Sequence, residues 1–487
     1  MGGGETPGGG SERAGGGGER SASPSCAAAG AGSAAGPWSG RRIHLIGVGG
    51  AGMSAYARAA HALGATVTGS DAAESEYTRR LAADGVLLAA IGHRAENVPE
   101  GEGVEVYHSS AIPAQNVERA RARELGIADA ERAELLGRLT ALRRTIAVAG
   151  THGKTTTAAM IAHELIAAGM EPGWLVGGPI GGGLANAEWG RGEWLVVEAD
   201  ESDRSMLAIE AEIAVLTNVE LDHHASFGSL AELRAAFGEF LAGARHAVVW
   251  ERAELPAPGG EPLVTFEPRE LELTEGGSRF RWEGREVELS VPGAHNAVNA
   301  TAALEAARLA GAEPQAAIAA LRGFTGAGRR FQPIGRSAAG AQLFDDYAHH
   351  PTEVAATLRA ARTLPHERLV AVFQPHLFSR AKLLAREFGG ALALADAIAV
   401  LAIYPARERA EDFPGVSGLM IAEAAADAAP GRPVYWLPER EAAAGAIAGM
   451  LRAGDVCVVM GAGDVDRLGR ELAASTEGPA EVREPAG

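Results

Sequence analysis

Short apolar runs alternate with longer stretches of helical periodicity along most of the chain. Short apolar runs beside turn residues predict strands at residues 43–48, 66–71, 145–149, 194–197, 213–217 and 369–373. Helices are predicted to begin at Met53 and Lys154, and the second should reach about Ala168, before Gly169. This alternation predicts an α/β fold of parallel sheets with helices on both faces.

Several domains are expected from the length of 487 residues, because single cores rarely exceed roughly 250–300 residues. The pattern places domains at residues 39–141, 142–331 and 332–473. Residues 1–38 are mostly Gly, Ala, Ser and Glu, which predicts a disordered tail, and residues 474–487 are expected to be similarly loose.

Composition narrows the class of protein. Hydrophobic residues make up 47% and charged residues 22%, as in globular proteins, and no apolar run approaches the roughly 18 residues of a membrane helix. The N-terminal segment lacks the features of a signal peptide, so a cytoplasmic location is expected. A net charge of −18 argues against a general nucleic-acid binder. Two cysteines cannot form a disulfide framework, and Cys457 lies in an apolar run typical of a core.

A glycine-rich loop lies between a predicted strand and a predicted helix. Its backbone N–H groups would surround a polyphosphate, Lys154 would bridge the β- and γ-phosphates, and Thr155 would coordinate Mg²⁺. Val148 stands where a Walker A motif has glycine, so the loop is a variant, and a chance Gly-Lys-Thr at a helix start is the alternative. The predicted nucleotide-binding residues are Gly150, Thr151, His152, Gly153, Lys154, Thr155 and Thr156.

Acidic residues follow two further strands, at the strand ends where α/β sheets bind ligands. Glu198 ends one apolar strand and opens an acidic run, and His223 follows the next strand. A magnesium nucleotide needs carboxylates near its phosphates. We therefore predict a metal site formed by Thr155, Glu198 and His223, with a surface role for the His223-His224 pair as the alternative.

Residues 47–52 form another glycine-rich loop after the first strand. Asp71 follows at the spacing of about 20 residues expected for a ribose-binding acid. Taken alone, this loop suggests NAD, and a glycine turn without a ligand is the other alternative. An NAD enzyme would leave the loop at Lys154 unexplained, whereas a simple ATPase would leave this one unexplained.

Four later stretches combine acids, imidazoles and arginines that cores rarely hold. Each alone could be a turn or a solvated face, but together they suit anionic substrates. They lie at residues 293–300, 328–332, 345–351 and 374–380.

Taken in order, these motifs resemble those of the Mur ligases over roughly residues 42–470. Besides the two glycine loops, the matching landmarks are residues 109–112, 198–203, 218–223, 295–299, 329–332, 345–353, 374–380 and 461–464. The resemblance implies a Rossmann-like UDP-sugar-binding domain, a central P-loop ATPase domain with a parallel sheet, and a C-terminal Rossmann-like domain that binds the amino acid and closes over the nucleotide.

The resemblance also implies a reaction and its partners. We expect ATP and Mg²⁺ as cofactors and ligation of L-alanine to the carboxylate of UDP-N-acetylmuramate through an acyl phosphate. This would be an early cytoplasmic step of peptidoglycan synthesis, which serves cell shape and division. The expected protein is a monomer or weak homodimer without nucleic-acid or membrane partners.

Site residues follow from the same resemblance. The UDP-sugar would contact Gly47, Gly49, Gly50, Gly52, Met53, Asp71, Ser109 and Ser110. The adenine side of ATP would contact His295, Asn296 and Asn299, whereas its phosphates and ribose would meet Arg330 and Asp346. The muramoyl carboxylate and the alanine would face His349, His376 and Arg380, with the base among these histidines left open. Catalysis would rest on Lys154, Glu198, His223, Arg330, His349, His376 and Arg380.

Two departures from the family pattern stand out. Ala225 replaces an acid that many relatives carry two positions after the metal-binding histidine. The only lysines are Lys154 and Lys382, so the central domain has none to form the carbamylated lysine that several relatives use. The alternatives are a recycling ligase that attaches a whole tripeptide, a non-catalytic nucleotide-binding module and an NAD oxidoreductase.

Overall fold

The computed structural model describes residues 1–2, 36–222, 226–253, 255 and 263–474. Its N-terminal unit contains β1 Arg42–Ile46, α1 Ala51–Ala62, β2 Thr66–Asp71, α2 Glu76–Ala83, β3 Ala90–Ile91, β4 Val104–His108, α3 Val117–Glu124, β5 Asp129–Glu131 and α4 Arg132–Thr140. The five strands form a parallel sheet in the order β3-β2-β1-β4-β5. The first glycine loop therefore leaves the central strand of this sheet.

The middle unit is larger. It contains β6 Arg144–Ala149, α5 Lys154–Ala167, β7 Gly173–Leu175, β8 Ala187–Glu188, β9 Trp194–Glu198, β10 Ile213–Leu216, α6 Leu230–Ala242, β11 His246–Trp250, β12 Leu263–Phe266, β13 Arg269–Thr274, β14 Gly277–Trp282, β15 Arg285–Leu289, α7 Ala294–Ala310 and α8 Pro314–Arg322. Seven strands form one sheet in the order β12-β11-β10-β6-β9-β7-β8, with only β7 and β8 antiparallel. A separate antiparallel sheet, β13-β14-β15, was not predicted.

The C-terminal unit contains β16 Gln332–Arg336, β17 Gln342–Asp346, α9 Pro351–Ala361, β18 Arg368–Phe373, α10 Phe378–Leu392, β19 Ala397–Leu401, α11 Leu419–Ala428, β20 Val434–Leu437, α12 Arg440–Met450, β21 Asp455–Met460 and α13 Val465–Ala474. Its sheet has the order β16-β17-β21-β18-β19-β20 and is parallel except for β16. The predicted α/β class with largely parallel sheets is thus confirmed.

Burial explains why these segments form central strands. Every residue of β10, β19 and β21 is buried, because helices cover both faces of each sheet. Cys457 lies within β21 and is fully buried, which confirms its predicted core position. No helix in the described part of the chain is long and apolar enough to cross a membrane.

Candidate active site

The phosphate-binding loop connects β6 to α5, at the C-terminal edge of a central strand. Gly150 and Gly153 have φ angles of +128° and +81°, which favour glycine. A Cβ at Gly150 would collide with the Thr217 hydroxyl, and one at Gly153 would lie 2.5 Å from Asn299 Oδ1. The loop is therefore packed too tightly against β10 and α7 to hold side chains at these two positions.

Lys154, the first residue of α5, points its amine back into the loop. Its Nζ donates to Gly150 O at 2.7 Å and lies 2.8 Å from Glu201 Oε2. Burial alone would lower the lysine pKa, but the charges of Glu201, Asp200 and Glu198 outweigh burial and raise it. The ammonium therefore stays charged beside the loop, as the binding of a polyphosphate requires.

The predicted metal ligands Thr155 and Glu198 lie together. Thr155 Oγ1 donates to Glu198 Oε2 at 2.9 Å, and the Gly177 amide donates to the same oxygen at 2.7 Å. A Cβ at Gly177 would lie 2.5 Å from that oxygen, so only glycine lets the backbone approach so closely. An oxygen-only pair is the donor set that Mg²⁺ prefers, and these residues fit such an ion. The third predicted ligand, His223, lies outside the described residues.

The residues predicted at the adenine and the ribose come from the middle and the C-terminal units. His295, Asn296 and Asn299 are in the first turns of α7, and Asn299 Nδ2 is 3.4 Å from Asn296 Oδ1. Burial, with a further contribution from Arg330, lowers the pKa of His295 to about 4 and keeps its ring neutral. Asp346 accepts hydrogen bonds from the Phe331 and Ala348 amides at 2.7 Å each.

The backbone of the first glycine loop forms a hydrogen bond with Asp71, at the end of β2. Asp71 Oδ2 accepts from the Gly49 amide at 2.8 Å, and a Cβ at Gly49 would approach the same oxygen to 2.8 Å. Ser109, at the end of β4, lies close to Gly47, where a Cβ would approach Ser109 Cβ to 3.0 Å. Asp71 therefore organises the loop in this structure, while its contact with a ribose stays a prediction. The other predicted residues Gly50, Gly52, Met53 and Ser110 lie around the same strand ends.

Three predicted side chains of the C-terminal unit lie together. The rings of His349 and His376 have centroids 6.0 Å apart, and Arg380 Nη1 donates to His376 Nδ1 at 3.3 Å. Burial is the main cause that lowers the pKa of His349 to about 3 and that of His376 to about 4, so both rings are neutral at pH 7. Arg380 also pairs with Asp222 of the middle unit, its Nη2 lying 2.9 and 3.1 Å from the two carboxylate oxygens.

The N-terminal unit meets the middle unit through two further side chains. Arg132 of α4 pairs with Asp200 at 2.8 Å and with Asp203 at 2.5 Å. Tyr77 of α2 places its hydroxyl 3.5 Å from Gly177 O, beside the Thr155–Glu198 pair. All three units therefore contribute side chains to the cleft around the phosphate-binding loop.

His152 of the phosphate-binding loop links the middle and C-terminal units. Its Nε2 lies 3.0 Å from Glu220 Oε2, and its Nδ1 lies 3.2 Å from Glu353 Oε1 on α9. Burial alone would lower the His152 pKa, but these two carboxylates raise it to about 9. Arg330, which lies over the Tyr347 ring, approaches Glu353 Oε1 to 3.8 Å.

Sequence reasoning did not assign roles to several residues that complete this cleft. Two of them had a local indication in the sequence. Glu201 lies within the acidic run after β9, and Glu353 stands three residues after the N-cap His350, the position of a capping-box residue of α9. Asp222 lies within residues 218–223 and so had a signal too, whereas the roles of Tyr77 and Arg132 arise only from contacts between units.

Three α/β units around a phosphate-binding loop define a multidomain nucleotide-dependent enzyme. Family models described as the Mur ligase family catalytic domain, the Mur ligase middle domain and the Mur ligase glutamate ligase domain match residues 42–144, 148–307 and 329–463. The chain belongs to the Mur ligase family.

Individual relatives extend over nearly the whole chain. It is 43% identical over 454 residues to the UDP-N-acetylmuramate–L-alanine ligase of Rubrobacter xylanophilus, covering 89% of this chain and 99% of that protein. The relative of the same name from Streptomyces avermitilis is 43% identical, covering 88% of this chain and 96% of that protein.

Solved structures give the same family. The UDP-N-acetylmuramate–alanine ligase of Thermotoga maritima superposes with a TM-score of 0.77 at 28% identity, covering 88% of this chain and 98% of that chain. A murein peptide ligase from Psychrobacter arcticus gives a TM-score of 0.68 at 25% identity, covering 91% of this chain and 100% of that chain.

Proposed function

We propose that this protein uses ATP to join L-alanine to the carboxylate of UDP-N-acetylmuramate, as an early cytoplasmic step of peptidoglycan synthesis. The observation that carries the proposal is 43% identity to a UDP-N-acetylmuramate–L-alanine ligase along almost its entire length. The structure supports it, because all three units contribute side chains around the phosphate-binding loop and Arg380, beside His376, pairs with Asp222 of the middle unit. We further propose that residues 39–141 bind the UDP-sugar, 142–331 bind ATP and 332–473 bind alanine.

In the first proposed step, a carboxylate oxygen of the sugar attacks the γ-phosphorus of ATP, and ADP leaves. Phosphoryl transfer depends mainly on positioning and charge stabilisation. Lys154 supplies a charged ammonium at the loop, and Arg330 supplies a guanidinium near Glu353, which pairs with His152 of the same loop. Thr155 and Glu198 would hold Mg²⁺, with His223 as a further ligand, and the ion would neutralise charge on the phosphates.

In the second proposed step, the alanine amine attacks the acyl carbon, phosphate leaves, and a proton passes from the amine to a base. His349 Nδ1 lies 2.9 Å from Tyr347 O, so this nitrogen carries the hydrogen and Nε2 has a free lone pair. His376 instead uses Nδ1 to accept from Arg380, which places its hydrogen on Nε2. We therefore propose that His349 Nε2 accepts a hydrogen bond from the alanine amine, and that His376 and Arg380 orient the substrates.

Phosphate release in the presence of ATP, Mg²⁺ and UDP-N-acetylmuramate tests this proposal, with L-alanine compared against the tripeptide L-alanyl-γ-D-glutamyl-meso-diaminopimelate. We expect strong stimulation by L-alanine and little by the tripeptide. Preference for the tripeptide would establish the recycling ligase instead, and no phosphate release with either acceptor would refute the ligase assignment.

The two lysines provide a matched pair of variants. Lys154→Ala should lower kcat by about 10²–10³-fold, the usual effect of removing one preorganised electrostatic group, while UDP-N-acetylmuramate still binds to the first unit. Lys382 is exposed on α10, and Lys382→Ala should leave turnover unchanged. Equal turnover in the two variants would contradict the role of Lys154.

A further inference from the structure

A group of three potential metal ligands lies on the side of the phosphate-binding loop away from Thr155 and Glu198. His152, Glu220 and His350 each offer one ligand atom, and these atoms all lie within 4.8 Å of one another. His152 Nε2 is 3.0 Å from Glu220 Oε2, and His350 Nδ1 is 3.9 Å from Glu220 Oε1. Within residues 36–222, 226–253 and 263–474, no other group of three such side chains meets this spacing.

The donor set differs from that of the proposed magnesium site. Two imidazoles and one carboxylate suit Zn²⁺ and neighbouring transition metals, whereas Mg²⁺ favours oxygen ligands. Three protein ligands with one open position are typical of tetrahedral zinc sites, whose ligand atoms lie roughly 3.4 Å apart when each is about 2.1 Å from the metal. The 3.0 Å pair is about 0.4 Å shorter than this separation, and the third ligand atom lies within 4.8 Å of the other two, so small side-chain rotations would bring all three to it.

The surroundings of the group are also those of a metal site. A ligating histidine commonly donates its second ring nitrogen to a carboxylate, which fixes the ring. His152 Nδ1 lies 3.2 Å from Glu353 Oε1, so its second nitrogen has such a partner. Thr352 Oγ1 donates to Glu220 Oε1 at 2.7 Å and thereby orients the carboxylate ligand.

The three side chains come from two different units of the protein. His152 and Glu220 belong to the middle unit, whereas His350 is the N-cap of helix α9 in the C-terminal unit. We propose that His152, Glu220 and His350 bind one Zn²⁺-class ion that ties the phosphate-binding loop to the C-terminal unit and inhibits turnover by holding the cleft closed. The inhibition rests on the ligase function proposed above, whereas the metal site itself does not.

Equilibrium binding tests the site directly. Full-length protein competes with a fluorescent chelator for Zn²⁺, with excess Mg²⁺ present, and the wild type is compared with Glu220→Gln, His350→Asn and the control His61→Asn. Asparagine is a good N-cap, so His350→Asn preserves the start of α9, and His61 is an exposed histidine on α1.

We expect one tight equivalent in the wild type and in the His61 variant, and at least a tenfold loss of affinity in the other two variants. Anomalous scattering from a zinc-soaked crystal should place the ion between the three side chains. Affinity unchanged in both ligand variants, or no tight equivalent in the wild type, would overturn the site.

Inhibition is measured separately, as phosphate release at saturating Mg²⁺ over a range of buffered free Zn²⁺ concentrations. Each variant is compared with its own zinc-free rate. The wild type should lose activity over the concentration range in which the site fills, and His350→Asn should need at least tenfold more Zn²⁺. Zinc binding without inhibition would overturn the inhibitory role. A protein that binds Zn²⁺ but lacks ligase activity would refute only the proposed function.

Discussion

Glu164 offers a sharp test of the energetics of this fold. It lies in α5, its side chain is fully buried, and neither carboxyl oxygen has a hydrogen-bond partner within the described part of the chain. Burial raises its pKa well above the usual value of a glutamate. The folded protein therefore favours the protonated carboxyl.

The pH dependence follows from linkage. An unfolded glutamate has a pKa of about 4.3, and the pKa of folded Glu164 is well above this value. The folded state therefore binds the proton more tightly than the unfolded state does. Stability is then greatest below the unfolded pKa and falls by about 1.4 kcal/mol per pH unit as the pH rises towards the folded pKa. A neutral, unpaired carboxyl also carries a pH-independent cost of about 1–3 kcal/mol.

Two variants separate these contributions. Glu164→Gln removes the titration but keeps a polar group, so its stability should be nearest to that of the wild type at pH 5 and exceed it by the largest margin at pH 8. Glu164→Met removes the polar group as well and should be about 1–3 kcal/mol more stable than Glu164→Gln at all pH values. Urea unfolding from pH 5 to 8, followed by tryptophan fluorescence, measures this, since Trp174, Trp194 and Trp282 are buried in the middle unit.

Glu305 is the matched control, because it is also buried but accepts from Trp282 Nε1 at 2.7 Å and from Arg308 Nη2 at 2.8 Å. Glu305→Gln should therefore destabilise the protein. If the wild type and Glu164→Gln keep a constant stability difference from pH 5 to 8, the reasoning about the unpaired carboxyl is refuted.

Three further predictions concern the cleft and the core. Glu353 and Glu220 raise the pKa of His152 to about 9, and the His152–Glu353 contact crosses from the middle to the C-terminal unit. This contact should therefore stabilise cleft closure fully below about pH 6.5 and lose its effect as the pH rises through about 9. X-ray scattering should detect opening at high pH in the wild type and a smaller change in Glu353→Gln. Asp222→Asn should weaken closure by up to about 3–5 kcal/mol, because it leaves the buried Arg380 guanidinium without its carboxylate, and adding Arg380→Gln should restore part of the loss in scattering measurements. The Cys457 thiol is buried and burial raises its pKa to about 12, so iodoacetamide should label Cys457 in urea but not in the native protein. Labelling of Cys457 in the native protein, detected by mass spectrometry of its peptide, would contradict its burial.

The sequence predicted the parts of the fold that depend on local pattern. Central strands such as β10 and β18 are almost wholly apolar, so the sequence alone predicts them. Gly150 and Gly153 mark the phosphate-binding loop in the sequence, and their positive φ angles in the structure explain why glycine is needed there. The antiparallel sheet was missed because β13 exposes or half-exposes all its residues and carries charged side chains, which leaves no apolar run to detect.

The candidate site was predictable only in its local elements. Lys154, Thr155 and Glu198 follow strands of one sheet, so their proximity follows from parallel topology. The pairing of Arg380 with Asp222, and of His152 with Glu353, depends on how separate units pack, and no periodicity or spacing encodes it. The chemical roles assigned to these residues stay predictions until turnover is measured.

The different environments of the two lysines allow a fluorescent dye to be attached at one defined side chain. Lys154 is held by Glu201 and loop carbonyls, whereas Lys382 lies exposed on α10 of the C-terminal unit. An amine-reactive fluorophore would therefore attach at Lys382 besides the chain terminus, without any engineered cysteine. Energy transfer from the tryptophans of the middle unit to that dye would then report the distance between the two units during each catalytic cycle.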